Sequence, residues 1–141
     1  MTISKDIKFD CAHMLSDYEG KCANLHGHTY HGTVTLEGDV DRSTGMLIDY
    51  NTIKNVVDKF DHAVIFSESS VCNDAETELY QWARRYEMKA VELLSSKSTV
   101  EGIAAYIASD LIQFVNVRSV HVRLSETDGS WAIAGPRNES S

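Results

Sequence analysis

With 13 Lys and Arg against 21 Asp and Glu, this chain of 141 residues has a net charge of −8 and is poorly equipped to neutralise nucleic-acid phosphates. Its 43% hydrophobic and 24% charged residues suit an ordinary globular domain. No apolar run approaches the roughly 18 residues of a membrane helix, so neither nucleic acid nor membrane is an expected partner. The opening MTISKDIKFD lacks the apolar core of a secretion signal, which leads to the expectation of a cytoplasmic protein. The 3 cysteines cannot pair completely and form no CxxC, so thiols are expected. A small phosphorylated ligand remains compatible with the charge, through a local cluster drawn from Lys21, Arg42, Lys97 and Arg123.

Along the chain, Ile3 to His13 reads as a strand, with Ile7, Phe9 and Cys11 at alternate positions. Residues 26 to 37 alternate clearly: His28, Tyr30, Gly32, Val34 and Leu36 share one face and Thr29, His31, Thr33 and Thr35 the other. A turn around Asp41 to Gly45 leads into an expected short strand, Met46 to Ile48. Asp49 or Asn51 can cap a helix carrying Ile53, Val56, Val57 and Phe60 at helical spacing. Residues 75 to 86 read as a second helix and Ala90 to Leu94 as a short strand. Ser98 or Thr99 caps a third helix, expected to turn Ile103, Ile107, Leu111 and Phe114 inward. Val117 to Ser125 alternates as a strand, Asp128-Gly129 marks a turn, and Trp131 to Ala134 returns. Strands at both ends with helices between them indicate an α+β domain, an antiparallel sheet with helices on one face. We expect this single domain to span residues 1–135 and the tail, 136–141, to be disordered.

The chemistry gathers at His26-Gly27-His28. Side chains two apart on a strand point the same way, so both imidazoles can reach one cation at the about 2.0–2.1 Å of a zinc–nitrogen bond. By itself an HxH pair is more often a chance event on an exposed strand. His13, ending the preceding strand, can lie opposite, and three nitrogen ligands with an open fourth position make the pattern of a catalytic Zn2+. Cys22 is too close to His26 for a zinc finger. Beside a cation and Lys21 its thiolate would be favoured, which suits a base or nucleophile. The adjacent Asp61 and His62 can form an oriented proton carrier, although a solvated pair at a helix end is commoner. Glu126 can bind paired N–H donors of a planar ligand or stand exposed at a strand end. Cys11 is expected in the core, Cys72 in a polar loop, and His31 and His121 at the surface or in packing.

In order along the chain stand Phe9-x-x-Ala-His13, Cys22-x-x-x-His26-Gly-His28, Gly45-Met-x-Ile-Asp49-Tyr, Asp61-His62, Ser98-Thr-x-Glu101 and Ser125-Glu-Thr-x-x-Ser-Trp131. Over nearly its whole length the sequence resembles the 6-pyruvoyl-tetrahydropterin synthase family, and most of all its bacterial-type, carboxy-forming branch. That resemblance implies a tunnelling (T-) fold, in which a four-stranded antiparallel sheet joins its neighbours in a barrel. It also implies a homohexamer of two stacked trimers with sites at subunit interfaces. By position His13, His26 and His28 match zinc ligands, Cys22 the catalytic thiol, and Asp61 and His62 the acid/base pair. Glu126 matches the carboxylate that anchors the pterin ring, and Ser98 and Thr99 match residues that line the pterin pocket. The implied substrate is 7,8-dihydroneopterin triphosphate. The implied activity is a lyase of queuosine (7-deazaguanine) biosynthesis, with the pyruvoyl-forming synthase and a non-catalytic metal-binding module as alternatives. One departure is the long segment between His62 and Ser98.

Overall fold

Alternation decides the inward face of the first strand. In the computed structural model, which describes residues 1–135, β1 (Thr2–His13) buries Ile7, Phe9, Cys11 and His13 and exposes Lys8 and Asp10 between them. β2 (His26–Gly38) lies antiparallel to it, with Phe9 opposite Tyr30 and His13 opposite His26. The rings of Phe9 and Tyr30 stack with centroids 5.2 Å apart, and both side chains are almost wholly buried. Burial of each such side chain contributes about 1.5–3 kcal/mol.

Four strands form the expected antiparallel sheet. β5 (Val117–Ser125) pairs with β2, and β6 (Ala132–Ala134) pairs with β5. Two more extend it beyond β1: β3 (Ala63–Phe66) and β4 (Ala90–Glu92), each parallel to its inner neighbour. The full order is β4-β3-β1-β2-β5-β6. Only four residues long, β3 was not anticipated; its Ala-Val-Ile-Phe run is too short to show a period. Parallel neighbours need crossovers, which α1 (Tyr50–Asp58) and α2 (Asp74–Arg85) supply.

The helices begin where capping side chains stand. Asp49 accepts a hydrogen bond from the Asn51 N–H at 2.8 Å, and Thr99 accepts from Gly102 at 3.1 Å to open α3 (Val100–Leu111). Ile53, Val57 and Phe60 join Ile103, Ile107 and Leu111 in one core against Tyr30, Val34, Val120 and Val122. Two expectations are corrected. Met46 to Ile48 is no strand: the Asp41 N–H donates to the Met46 carbonyl at 2.8 Å, closing a turn that buries Leu47. Phe114 lies beyond the end of α3, off its apolar stripe, and is exposed. The tail, 136–141, lies outside the described residues. Among those described, no helix is long and apolar enough to cross a membrane.

Candidate metal centre

The inward rows of β1 and β2 run from the apolar core into histidine. Cys11 is followed two residues on by His13, and Tyr30 is preceded two and four residues back by His28 and His26. The ladder thus gathers three imidazoles at the end of the core, and one ring nitrogen from each lies within 4.8 Å of the others. Backbone carbonyls decide which nitrogens face inward. The His13 Nδ1–H donates to the Ser98 carbonyl, and the His26 Nδ1–H donates to Asn24 at 2.6 Å. Both Nε2 atoms then carry lone pairs, and they face each other at 3.1 Å. Only a proton or a cation between them makes that contact favourable. Two nitrogens bound about 2.0–2.1 Å from one tetrahedral ion stand roughly 3.4 Å apart, so the observed spacing fits. Nε2 of His28 is buried with no hydrogen-bond partner among the described residues, a costly state that a metal ion would relieve.

Glu126 closes the open side of the cluster. Its Oε1 lies 3.2 Å from Nε2 of His13 and 3.4 Å from Nε2 of His28, and it accepts the Tyr30 hydroxyl at 3.1 Å. Burial opposes a charge on His13, but in the protonated ring Nε2–H can donate to Glu126 while Nδ1–H donates to Ser98, and together these outweigh burial and raise its pKa. For His28 burial prevails over the attraction of Glu126, and its pKa is lowered. The His13 hydrogen bond, against the effect of burial, holds Glu126 below the usual carboxylate range. Tyr30 is a site residue that the sequence did not single out. Its place two residues after His28 on the inward face was the available signal.

The remaining candidates are placed unevenly. Asp61 and His62 are paired, Oδ2 to Nδ1 at 2.9 Å. They occupy the turn before β3, where His62 has φ +59°, a left-handed conformation that costs about 1–2 kcal/mol in a non-glycine residue. Two hydrogen bonds to the Asp10 backbone hold the turn: its N–H donates to Asp61 at 3.0 Å, and its carbonyl accepts from His62 at 2.6 Å. His62 and His28 line a common cleft of about 460 Å³, with Asp10, Thr29 and Val64. Cys22 stands apart from it, on a 3-10 turn (Lys21–Ala23) between β1 and β2. Its carbonyl accepts from Leu15 at 3.0 Å, but its thiol makes no hydrogen bond among the described residues. Ser98 is fully buried, its hydroxyl donated to the Met14 carbonyl at 3.1 Å, and Thr99 spends its hydroxyl on the α3 cap. Cys11 is buried and Cys72 half-buried, its thiol donating to Ser67 and Glu68 carbonyls. His31 and His121 are exposed, as expected.

Known proteins resemble this chain in sequence and in fold. A family profile described as 6-pyruvoyl tetrahydropterin synthase matches residues 2–137. Over 137 residues the chain is 34% identical to a Haemophilus influenzae protein named 6-carboxy-5,6,7,8-tetrahydropterin synthase, covering 92% of this chain and 94% of that one. A Pyrococcus abyssi protein named as a putative enzyme of the same kind is 33% identical over 132 residues, covering 89% and 83%. Among solved structures, 6-pyruvoyl tetrahydropterin synthase of Caenorhabditis elegans superposes with a TM-score of 0.59 at 25% identity, covering 97% and 96%. That of Plasmodium vivax superposes at 0.64 with 20% identity, covering 96% and 98%, a likeness of fold alone.

Proposed function

The chain belongs to the 6-pyruvoyl tetrahydropterin synthase family, as its motifs led us to expect, and from that membership we propose a specific reaction. The protein is a zinc-dependent lyase of queuosine (7-deazaguanine) biosynthesis. With water it converts 7,8-dihydroneopterin triphosphate to 6-carboxy-5,6,7,8-tetrahydropterin, acetaldehyde and triphosphate. The observation that carries the metal is the convergence of His13, His26 and His28, with the buried Nε2 of His28 making no hydrogen bond among the described residues. The relative at 34% identity, named for the carboxy product, supports that branch over the pyruvoyl-forming one.

His13, His26 and His28 would hold the zinc, which when bound would supply Lewis-acid polarisation of the hydroxyls on the substrate side chain. The protein's own groups do the rest. Ser98 and Asn24 hold the two imidazole rings by their Nδ1–H groups, which keeps Nε2 available as ligand. Cys22, as thiolate, removes a proton from the side-chain carbon. Asp61 accepts the Nδ1–H of His62, so His62 exchanges a proton with a side-chain hydroxyl at Nε2. Glu126 uses one oxygen on Tyr30 and the histidines and offers Oε2 to the ring N–H and amino group of the pterin. With the Ser98 hydroxyl held by Met14 and the Thr99 hydroxyl by the α3 cap, it is the backbone of these two residues that would form the wall of the pterin pocket.

In the proposed assembly, a homohexamer of two stacked trimers, the open edges at β4 and β6 are covered by neighbouring subunits. Those neighbours also complete each pocket, bringing together the groups that one chain leaves apart. Light scattering should give six times the 15.7 kDa chain mass, and a fully active monomer would overturn the shared pocket. The reaction is tested by incubating the zinc-loaded protein with 7,8-dihydroneopterin triphosphate. Acetaldehyde and the carboxy product are expected in equal amounts. A pyruvoyl product without acetaldehyde would move the protein to the other branch, and no turnover would refute the lyase.

A further inference from the structure

The long segment between His62 and Ser98 holds a carboxylate with no evident task on the surface. Glu76, in the first turn of α2, is completely buried and has no ion pair among the described residues. A charge so placed is expensive unless it is well hydrogen-bonded, and the adjacent helix N-terminus offsets only part of that cost. Its sequence context is a capping box: Asn73 caps α2 and accepts the Glu76 N–H at 2.9 Å. In such a box the acidic side chain normally reaches back to the N–H of the cap residue. Here Ser16 accepts that N–H at 3.0 Å and donates its own hydroxyl to Glu76. The carboxylate is thereby released from capping, and its other oxygen accepts the Ser67 N–H at 2.7 Å.

From Ser67 the hydrogen bonds run to the metal centre. The Ser67 hydroxyl accepts the Ser98 N–H at 2.9 Å, and the Ser98 carbonyl accepts the Nδ1–H of His13. Ser98 also grips the end of β1 through its hydroxyl on the Met14 carbonyl. The backbone has little room to shift here, since a Cβ on Gly102 would come within 2.1 Å of the Lys97 carbonyl. Accepting the reading of His13 as a metal ligand, we infer that Glu76 is a positioning residue for the metal centre. Acting through Ser67 and Ser98, it fixes the ring orientation and Nδ1–H tautomer of His13. Groups behind a ligating histidine set the tautomer that exposes its lone pair, and their loss commonly weakens metal binding about 10–100-fold. The segment carrying α2 thus acts as a brace behind the site.

The test uses the full chain with Glu76→Gln and Ser67→Ala, and Glu78→Gln, an exposed site on the same helix, as control. Zinc affinity is measured by chelator competition, the His13 ring nitrogens by NMR of the metal-free protein, and stability by thermal melting. Glu76→Gln and Ser67→Ala should each weaken zinc binding about 10–100-fold and turn His13 from one tautomer into a mixture. Glu78→Gln should do neither. A purely structural Glu76 would lower the melting temperature yet leave affinity within about two-fold and the tautomer unchanged, which would overturn the inference. If Glu76→Gln does not fold, Ser67→Ala decides by the same two readouts. Should the parent protein bind no zinc, the metal assignment fails, while the His13 tautomer still decides the role of Glu76.

Discussion

His13 is 1% exposed and engaged at both ring nitrogens, whereas 78% of the His62 side chain faces solvent and its support comes from the adjacent Asp61. His13 ends β1, and His62 stands in the turn that leads into β3, the strand next to β1. The difference lies in what surrounds them. His13 continues a buried row, so its polar atoms had to find partners within the chain, and those partners define a site. His62 stands on a strained turn open to water, where neither burial nor a second ligand fixes what it meets. If Asp61 and His62 form the proposed acid/base pair, they must acquire low-dielectric surroundings from substrate or a neighbouring subunit, whereas the three histidines already converge within one chain.

This contrast can be broken most sharply at the buried end. His26→Ala and His28→Ala should each lose zinc and activity together. If the ~10–16 kcal/mol typical of a four-ligand zinc site is shared among its ligands, one deletion weakens binding roughly a hundredfold or more. Elemental analysis showing undiminished zinc in both variants would remove these residues from the site. Cys22→Ala should keep its zinc and lose turnover by about 10²–10⁴-fold, because a base acts on the barrier rather than on binding. Near-normal single-turnover rates in that variant would make Cys22 a bystander.

The exposed end gives the smallest effect. The N–H of Asp10, and next the His62 ring, hold the Asp61 carboxyl below its ordinary value. A depressed carboxyl pKa contributes stability above the unfolded value of about 4, and that contribution is lost as pH falls through the lower folded value. Asp61→Asn should therefore melt slightly below the parent near neutrality, and the gap should shrink as pH falls below the ordinary carboxylate value of about 4. A gap that widens with acid would show that the carboxylate is not what steadies this turn.

Much of the sheet was legible because its strands are half-buried: Ile7, Phe9 and Cys11 alternate with Lys8 and Asp10, and Tyr30, Val34 and Leu36 with threonines. The same period put His26 and His28 on one side. β3 escaped notice because a short strand with both neighbours parallel shows no alternation. Met46 to Ile48 misled because apolar residues beside a turn read alike whether they pair or merely plug a gap with Leu47.

Residue type and period were enough to nominate the three histidines, the Asp61–His62 pair and the family, since those depend on order and spacing along the chain. Tertiary structure alone decided that Ser98 serves His13 through its carbonyl, that Tyr30 and Glu126 meet at the histidines, and that Glu76 stands behind them. The reason is physical. A backbone carbonyl is the same in every residue, and a glutamate reads as exposed until the fold encloses it, so no local pattern marks either one. Ser98 lies 85 residues from His13, Glu126 96 from Tyr30 and Glu76 60 from Ser16, and packing of α2 and α3 against the strand ends brings them within reach.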